Sequence, residues 1–100
     1  MTLSESIDEL TVHYEEDGTT VIKELDKVIL SKGAWTTIMF RYQEWRPQTN
    51  GYGPDKYTIR RYKKVGGEYR MQSKFNISSA DQARKIIDAL EKWMGDKAEG

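Results

Sequence analysis

The chain has no cysteine among its 100 residues. That excludes disulfide staples and thiolate metal sites, and it fits a reducing compartment. It has one histidine, His13, set among acids, where a solvated side chain is the expectation. No apolar run approaches the roughly 20 residues of a membrane helix, and the N-terminus has no apolar core of a secretion signal. No membrane partner is expected. The location expected is cytoplasmic, and nucleoid-associated if the source is bacterial. No carboxylate pair lies in an apolar setting that would raise a pKa, and no nucleophile lies beside a base. Gly51-Tyr52-Gly53 and Gly66-Gly67 read as turn glycines, not as a phosphate-binding loop opening a helix. Metal ligation would fall to acids alone, and none has the spacing of a cation loop. The expectation is therefore a protein that is no enzyme: no catalytic residue, no metal, no cofactor and no small-molecule substrate.

The formal net charge is zero, but it is not evenly spread. Residues 1–26 hold eight acids against Lys23, which gives minus seven. Residues 27–74 hold eleven bases against Glu44, Asp55 and Glu68, which gives plus eight. Residues 75–100 return minus one, from four bases and five acids. The basic middle also carries Trp35, Phe40, Tyr42, Trp45, Tyr52, Tyr57, Tyr62 and Tyr69. Cations mixed with flat rings suit unpaired nucleic acid, because charge follows phosphates and rings stack on bases.

Length sets one domain, and 37% hydrophobic content argues for one sheet covered on one side. Residues 1–18 are expected to be an acidic flexible tail with a transient helix through Ile7, Leu10 and Tyr14. Residues 19–95 form the single α+β domain, and 96–100 fray. Within the domain, β-branched and alternating residues predict strands at 19–30, 34–46, 56–64 and 68–77. A loop from Pro47 to Pro54 and a Gly66-Gly67 turn separate the later ones. Ala83, Ile86, Ile87, Leu90, Trp93 and Met94 then fall on one helical stripe. Ser78 or Ser79 caps that helix, and Gly95 is expected to end it. The fold class expected is α+β: a four-stranded antiparallel curved sheet with one C-terminal amphipathic helix on one face.

Alternation assigns side chains to the two faces of such a sheet. Ile38, Phe40, Tyr42, Tyr57, Ile59, Tyr69, Met71, Phe75 and Ile77 are expected under the helix. The opposite face then gathers the candidate nucleic-acid-binding residues Trp35, Arg41, Trp45, Arg46, Arg60, Tyr62, Lys64, Arg70 and Lys74. Arg41, Arg60, Lys64, Arg70 and Lys74 would take phosphates; Trp45, Tyr62 and Trp35 would stack. Solvated lysines that guard a sheet from aggregation are the plain alternative. Trp35 and Trp45 have a core or dimer reading as well, since a bulge in the second strand would swap their faces.

The run Ile38-Met39-Phe40-Arg41-Tyr42-Gln43-Glu44-Trp45 and the step Lys74-Phe75-Asn76-Ile77-Ser78-Ser79-Ala80-Asp81-Gln82-Ala83 carry a resemblance. Over roughly residues 21–94 the chain resembles the positive cofactor 4-like transcriptional coactivators, a single-stranded DNA-binding family. The resemblance implies a homodimer, a curved antiparallel sheet, strand-binding grooves and a transcription-related role. The partners expected are thus single-stranded DNA or RNA and a second copy of the chain. Spare apolar helix surface at Trp93 and Met94 supports the homodimer from the residues themselves. Two alternatives stay open: a protein-interaction or assembly module that binds no nucleic acid, and a three-stranded sheet domain that reads duplex DNA.

Overall fold

The structure is a computed structural model that describes residues 7–99, with side chains described through Gly95. Alternation delivers a long antiparallel meander: β1 (Tyr14–Glu16), β2 (Thr19–Ser31), β3 (Trp35–Arg46), β4 (Gly51–Tyr52), β5 (Lys56–Val65) and β6 (Glu68–Ile77). The spatial order is β1-β2-β3-β5-β6, and β4 pairs with β3. One helix, α1 (Ala80–Glu99), follows. The class is α+β with one C-terminal helix, as the sequence predicts, but the sheet has six strands where four are expected. The two extra strands come from local turns. Asp17 and Gly18 both take positive φ, 50° and 81°, and close a hairpin between β1 and β2. The turn after Arg46 folds the Pro47–Pro54 stretch back on β3 as β4.

Residues 7–18 are not a tail. A 3-10 turn at Ile7–Glu9 leads into a segment that crosses the sheet. Leu10 (4% exposed) and Val12 (5%) join Ile38, Phe40, Tyr42 and Tyr62 in the core. The Lys27 ammonium holds the crossing, donating to the carbonyls of Leu10 (2.8 Å), Asp8 (2.9 Å) and Ile7 (3.5 Å). The Thr11 hydroxyl donates to the Glu24 carboxylate. Residues 1–6 of the expected tail lie outside the described residues.

The core therefore sits on the sheet face away from α1, which corrects the expected placement of the apolar sets. Register is the cause. Phe40 lies opposite Thr58 and Ile38 opposite Arg60, while Ile59 lies opposite Met39. Tyr57 and Ile59 thus share a face with Met39, not with Phe40. A bulge at Arg61/Tyr62 then skips Gln72, pairing Arg61 with Ser73 and Tyr62 with Met71. Ile77 and Phe75 stay on the helix side, and Met71 and Tyr69 move to the core side.

The start of α1 follows the sequence expectation. Ser79 Oγ accepts from the Gln82 N–H (3.1 Å), and Gln82 Oε1 accepts from the Ser78 N–H (2.7 Å). The helix does not stop at Gly95; its backbone continues to Glu99. A glycine inside a helix costs only about 1 kcal/mol, and nothing after Gly95 breaks the helix. No helix among the described residues is long and apolar enough to cross a membrane.

Candidate nucleic-acid interface

Two neighbouring turns define one end of the sheet: Lys32-Gly33-Ala34 between β2 and β3, and Gly66-Gly67 between β5 and β6. Gly66 and Gly67 take positive φ of 60° and 86°, the conformation a tight hairpin needs. Contacts tie the two turns together. The Lys64 N–H donates to the Ala34 carbonyl (2.8 Å), the Thr36 hydroxyl donates to the Gly33 carbonyl (3.1 Å), and the Tyr69 hydroxyl reaches the same carbonyl (3.4 Å).

Trp35 is held at this end, on the α1 side of the sheet. It lies opposite Lys63, with Arg61 two residues along on the same face. The Arg61 guanidinium sits 4.5 Å from the ring centroid and the Lys63 ammonium 5.3 Å. Both distances are within cation–π range. The ring is 42% exposed. No described carboxylate pairs with Arg61 or Lys63. Arg70 lies opposite Lys63 and pairs loosely with Glu68 at 3.5 Å. Lys64 lies over Tyr69 on the other side, 5.4 Å from its centroid. Lys32, Arg61, Lys63, Lys64 and Arg70 thus crowd one end of the molecule against a single acid among the described residues, Glu68.

The opposite end uses its cations internally. Arg41 Nη1 and Gln43 Nε2 both donate to Asp55, at 3.1 and 2.9 Å. Lys56 Nζ donates to Glu44 at 2.7 Å. Arg46 lies against the backbone of Gly53, where an added Cβ would come within 2.6 Å of its Nε. Trp45 is half-buried and meets Tyr52 edge-on, with centroids 5.3 Å apart at 75°. The Tyr52 hydroxyl donates to the Thr20 carbonyl (2.8 Å), and the Lys23 ammonium lies 4.9 Å from the Tyr52 centroid. Ten residue steps along β3 place Trp45 roughly 33 Å from Trp35.

The sequence-predicted residues therefore do not form one platform. Trp35, Lys64 and Arg70 come together at the turn end, and Arg41, Trp45 and Arg46 are engaged at the other. Arg60 and Lys74 lie opposite each other on the core side of the sheet. Tyr62 is only 5% exposed and belongs to the core, so it offers no ring for stacking. Its position opposite Thr36 follows from the same β3–β5 register that moved Ile59. Arg61, Lys63 and Lys32 complete the turn-end cluster and were missed. The signal available was adjacency: Arg60-Arg61 and Lys63-Lys64 put one base of each pair on each face.

Burial pushes the Tyr62 phenol above its ordinary value of 10.0, and the hydrogen-bonded Arg60 guanidinium opposes part of that rise. A raised phenol favours folding at neutral pH, and that contribution is lost as pH climbs past 10.0. Urea midpoints measured from neutral pH upward should fall above that pH. Tyr62→Phe should flatten the fall, and an unchanged profile would remove Tyr62 from the account.

No protein-family model matches the chain, and comparison with curated proteins and with solved structures finds none similar to it.

Proposed function

We propose that the chain is a binding module for single-stranded nucleic acid, DNA in the first instance, engaged at the Trp35 end of the sheet. One observation carries the reading: a half-exposed tryptophan flanked by Arg61 and Lys63, two cations without a carboxylate partner among the described residues. An unpaired base offers a π face to Trp35, and its phosphates reach Arg61, Lys63 and Arg70. Duplex DNA hides its base faces, so it engages the cations alone. Lys32 and Lys64 extend the positive field around the turns. The resemblance to the positive cofactor 4-like coactivators points the same way and adds a transcription-related role. The site proposed is narrower than the platform expected from the sequence, because Arg41, Trp45 and Arg46 are engaged in contacts roughly 20 to 36 Å along β3 by the same reckoning of strand length.

The test is a fluorescence-anisotropy titration with single-stranded and duplex oligonucleotides of one sequence, at 50 and 200 mM salt. Single strands should bind more tightly. Three or four phosphate contacts predict a log–log salt slope of about −2 to −3 for a single strand. Lys63→Ala should reduce that slope by somewhat less than one unit. Equal affinity for duplex and single strand would defeat the stacking half of the reading. Absence of binding at the lower salt would defeat all of it.

A further inference from the structure

Helix α1 does not seal the sheet face it lies over. Between them is a cavity of about 520 Å³, walled by Leu30, Met39 and Ile59 from the sheet and by Ile86, Ile87 and Leu90 from the helix. Ala80 and Ala83 line it too, and their small side chains leave the space open where the helix starts. Leu30, Ile87 and Leu90 are 51%, 39% and 44% exposed, so part of each wall still faces water. Two polar side chains lie on the wall among the described residues, Arg84 and Tyr57. Register puts Tyr57 opposite Ile77, and α1 begins three residues after Ile77. The guanidinium and the phenol therefore both belong to the end where β6 runs into the helix. The far end, toward Leu90, is apolar.

We propose that this cavity is a binding site for a free aliphatic carboxylate, its alkyl chain held between α1 and the sheet and its carboxylate at Arg84. Size admits such a ligand, since pockets for small molecules run from about 300 to 1,000 Å³. So does length. Ala80 to Leu90 covers roughly 15 Å of helix, room for an extended chain of about ten to twelve carbons at ordinary C–C spacing. The lining selects the chain. Apolar walls are stabilised when methylenes cover them, and they offer water too few partners to hold it in order. A nucleobase or a sugar would leave its polar edges unmatched there. Charge selects the head. Arg84 is the one charged residue on the wall among the described residues, and no described carboxylate pairs with it. Asp81, one turn before it, pairs with Lys85 at 3.6 Å. Arg41, opposite Tyr57, is held by Asp55. One unpaired guanidinium therefore stands at the polar end, and that group takes a carboxylate through two parallel N–H donors. An alkyl cation would meet it as a like charge. The cavity lies beneath the helix, where a single chain can enter and a bilayer cannot, which favours a free carboxylate over a membrane lipid.

Isothermal titration calorimetry of the full chain with decanoate, decanol and decylammonium, each below its solubility and micelle limits, tests this. Decanoate should saturate at one per chain and bind more tightly than the other two. Arg84→Gln, at an exposed position, should weaken decanoate about threefold to tenfold and leave decanol unchanged. Ala83→Phe fills the cavity and should weaken both at least tenfold, with far-UV circular dichroism as in the wild type. Should that variant not fold, Arg84→Gln decides by itself. The inference is overturned if decanoate does not saturate, if Arg84→Gln leaves its affinity untouched, or if decylammonium binds as well. Two other occupants would show themselves in the absence of decanoate binding. Pelleting of the chain with anionic phospholipid vesicles would make the groove a membrane contact. A sedimentation mass of twice 11.6 kDa would make it an interface between copies. Either result overturns the inference. It does not rest on nucleic-acid binding: Trp35 is not on the cavity wall, and Trp35→Ala should leave decanoate affinity as it is.

Discussion

Leu10→Ala is expected to lower the free energy of unfolding by about 2–5 kcal/mol, the range for removing a buried leucine without full collapse of the space it leaves. Composition alone predicts the opposite, because an acidic tail tolerates alanine. Leu10 is 4% exposed and packs in one cluster with Val12, Ile38, Phe40, Tyr42 and Tyr62. Its backbone carbonyl also accepts from Lys27, so the segment is fixed from two directions. A domain of this size has a total margin of roughly 5–15 kcal/mol. Losing several of them in one substitution should move the urea midpoint far, with the slope unchanged. Tyr14→Ala is the control: its ring is half exposed on a short edge strand, and its cost should stay within about 0.5 kcal/mol. Equal midpoints for the two variants would return residues 7–12 to the status of a tail.

The second large effect separates two tryptophans that alternation places on one face. Trp35→Ala should weaken single-strand binding by about 1–3 kcal/mol, with little dependence on base identity, and leave the fold intact. Trp45→Ala should do the reverse. Its ring is half-buried against Tyr52, and such an edge-on pair contributes about 0.5–1.5 kcal/mol beyond the area it buries. Stability should fall while affinity per folded molecule holds. Anisotropy titrations paired with urea melts on both variants give the four numbers needed. Affinity lost in Trp45→Ala and kept in Trp35→Ala would move the site to the other end of the sheet.

The elements themselves were legible because their signals are local. The four long strands appear within a residue or two of where alternation and turn residues put them, and the Ser79–Gln82 cap is formed. What was illegible is relational. Alternation sorts residues within β3 or within β5, but it cannot say which set of one strand faces which set of the other. A shift of one residue moves every side chain across the sheet. Alternation therefore puts Tyr62 on an open face although it lies in the core, and it gives no sign that Arg61 and Lys63 lie beside Trp35. The β1–β2 turn carried an Asp17-Gly18 signal, but acids at 15 and 16 hid the short strand before it. Leu10 and Val12 are two apolar residues in an acidic stretch, too few to change its average and enough to cap a core.

The meander order has a consequence in time. Every pairing among the four long strands joins neighbours in the chain, so the sheet can assemble hairpin by hairpin with little loop entropy spent on each closure. The crossing of residues 7–12 is different: it packs over β3, some thirty positions away, and has a surface to pack on only once β2 and β3 are paired. It belongs late on the folding path. The loss in Leu10→Ala should then appear mainly as faster unfolding, with the refolding rate nearly unchanged. On a ribosome, this segment would emerge before the strands it packs on and find its place only after they have paired.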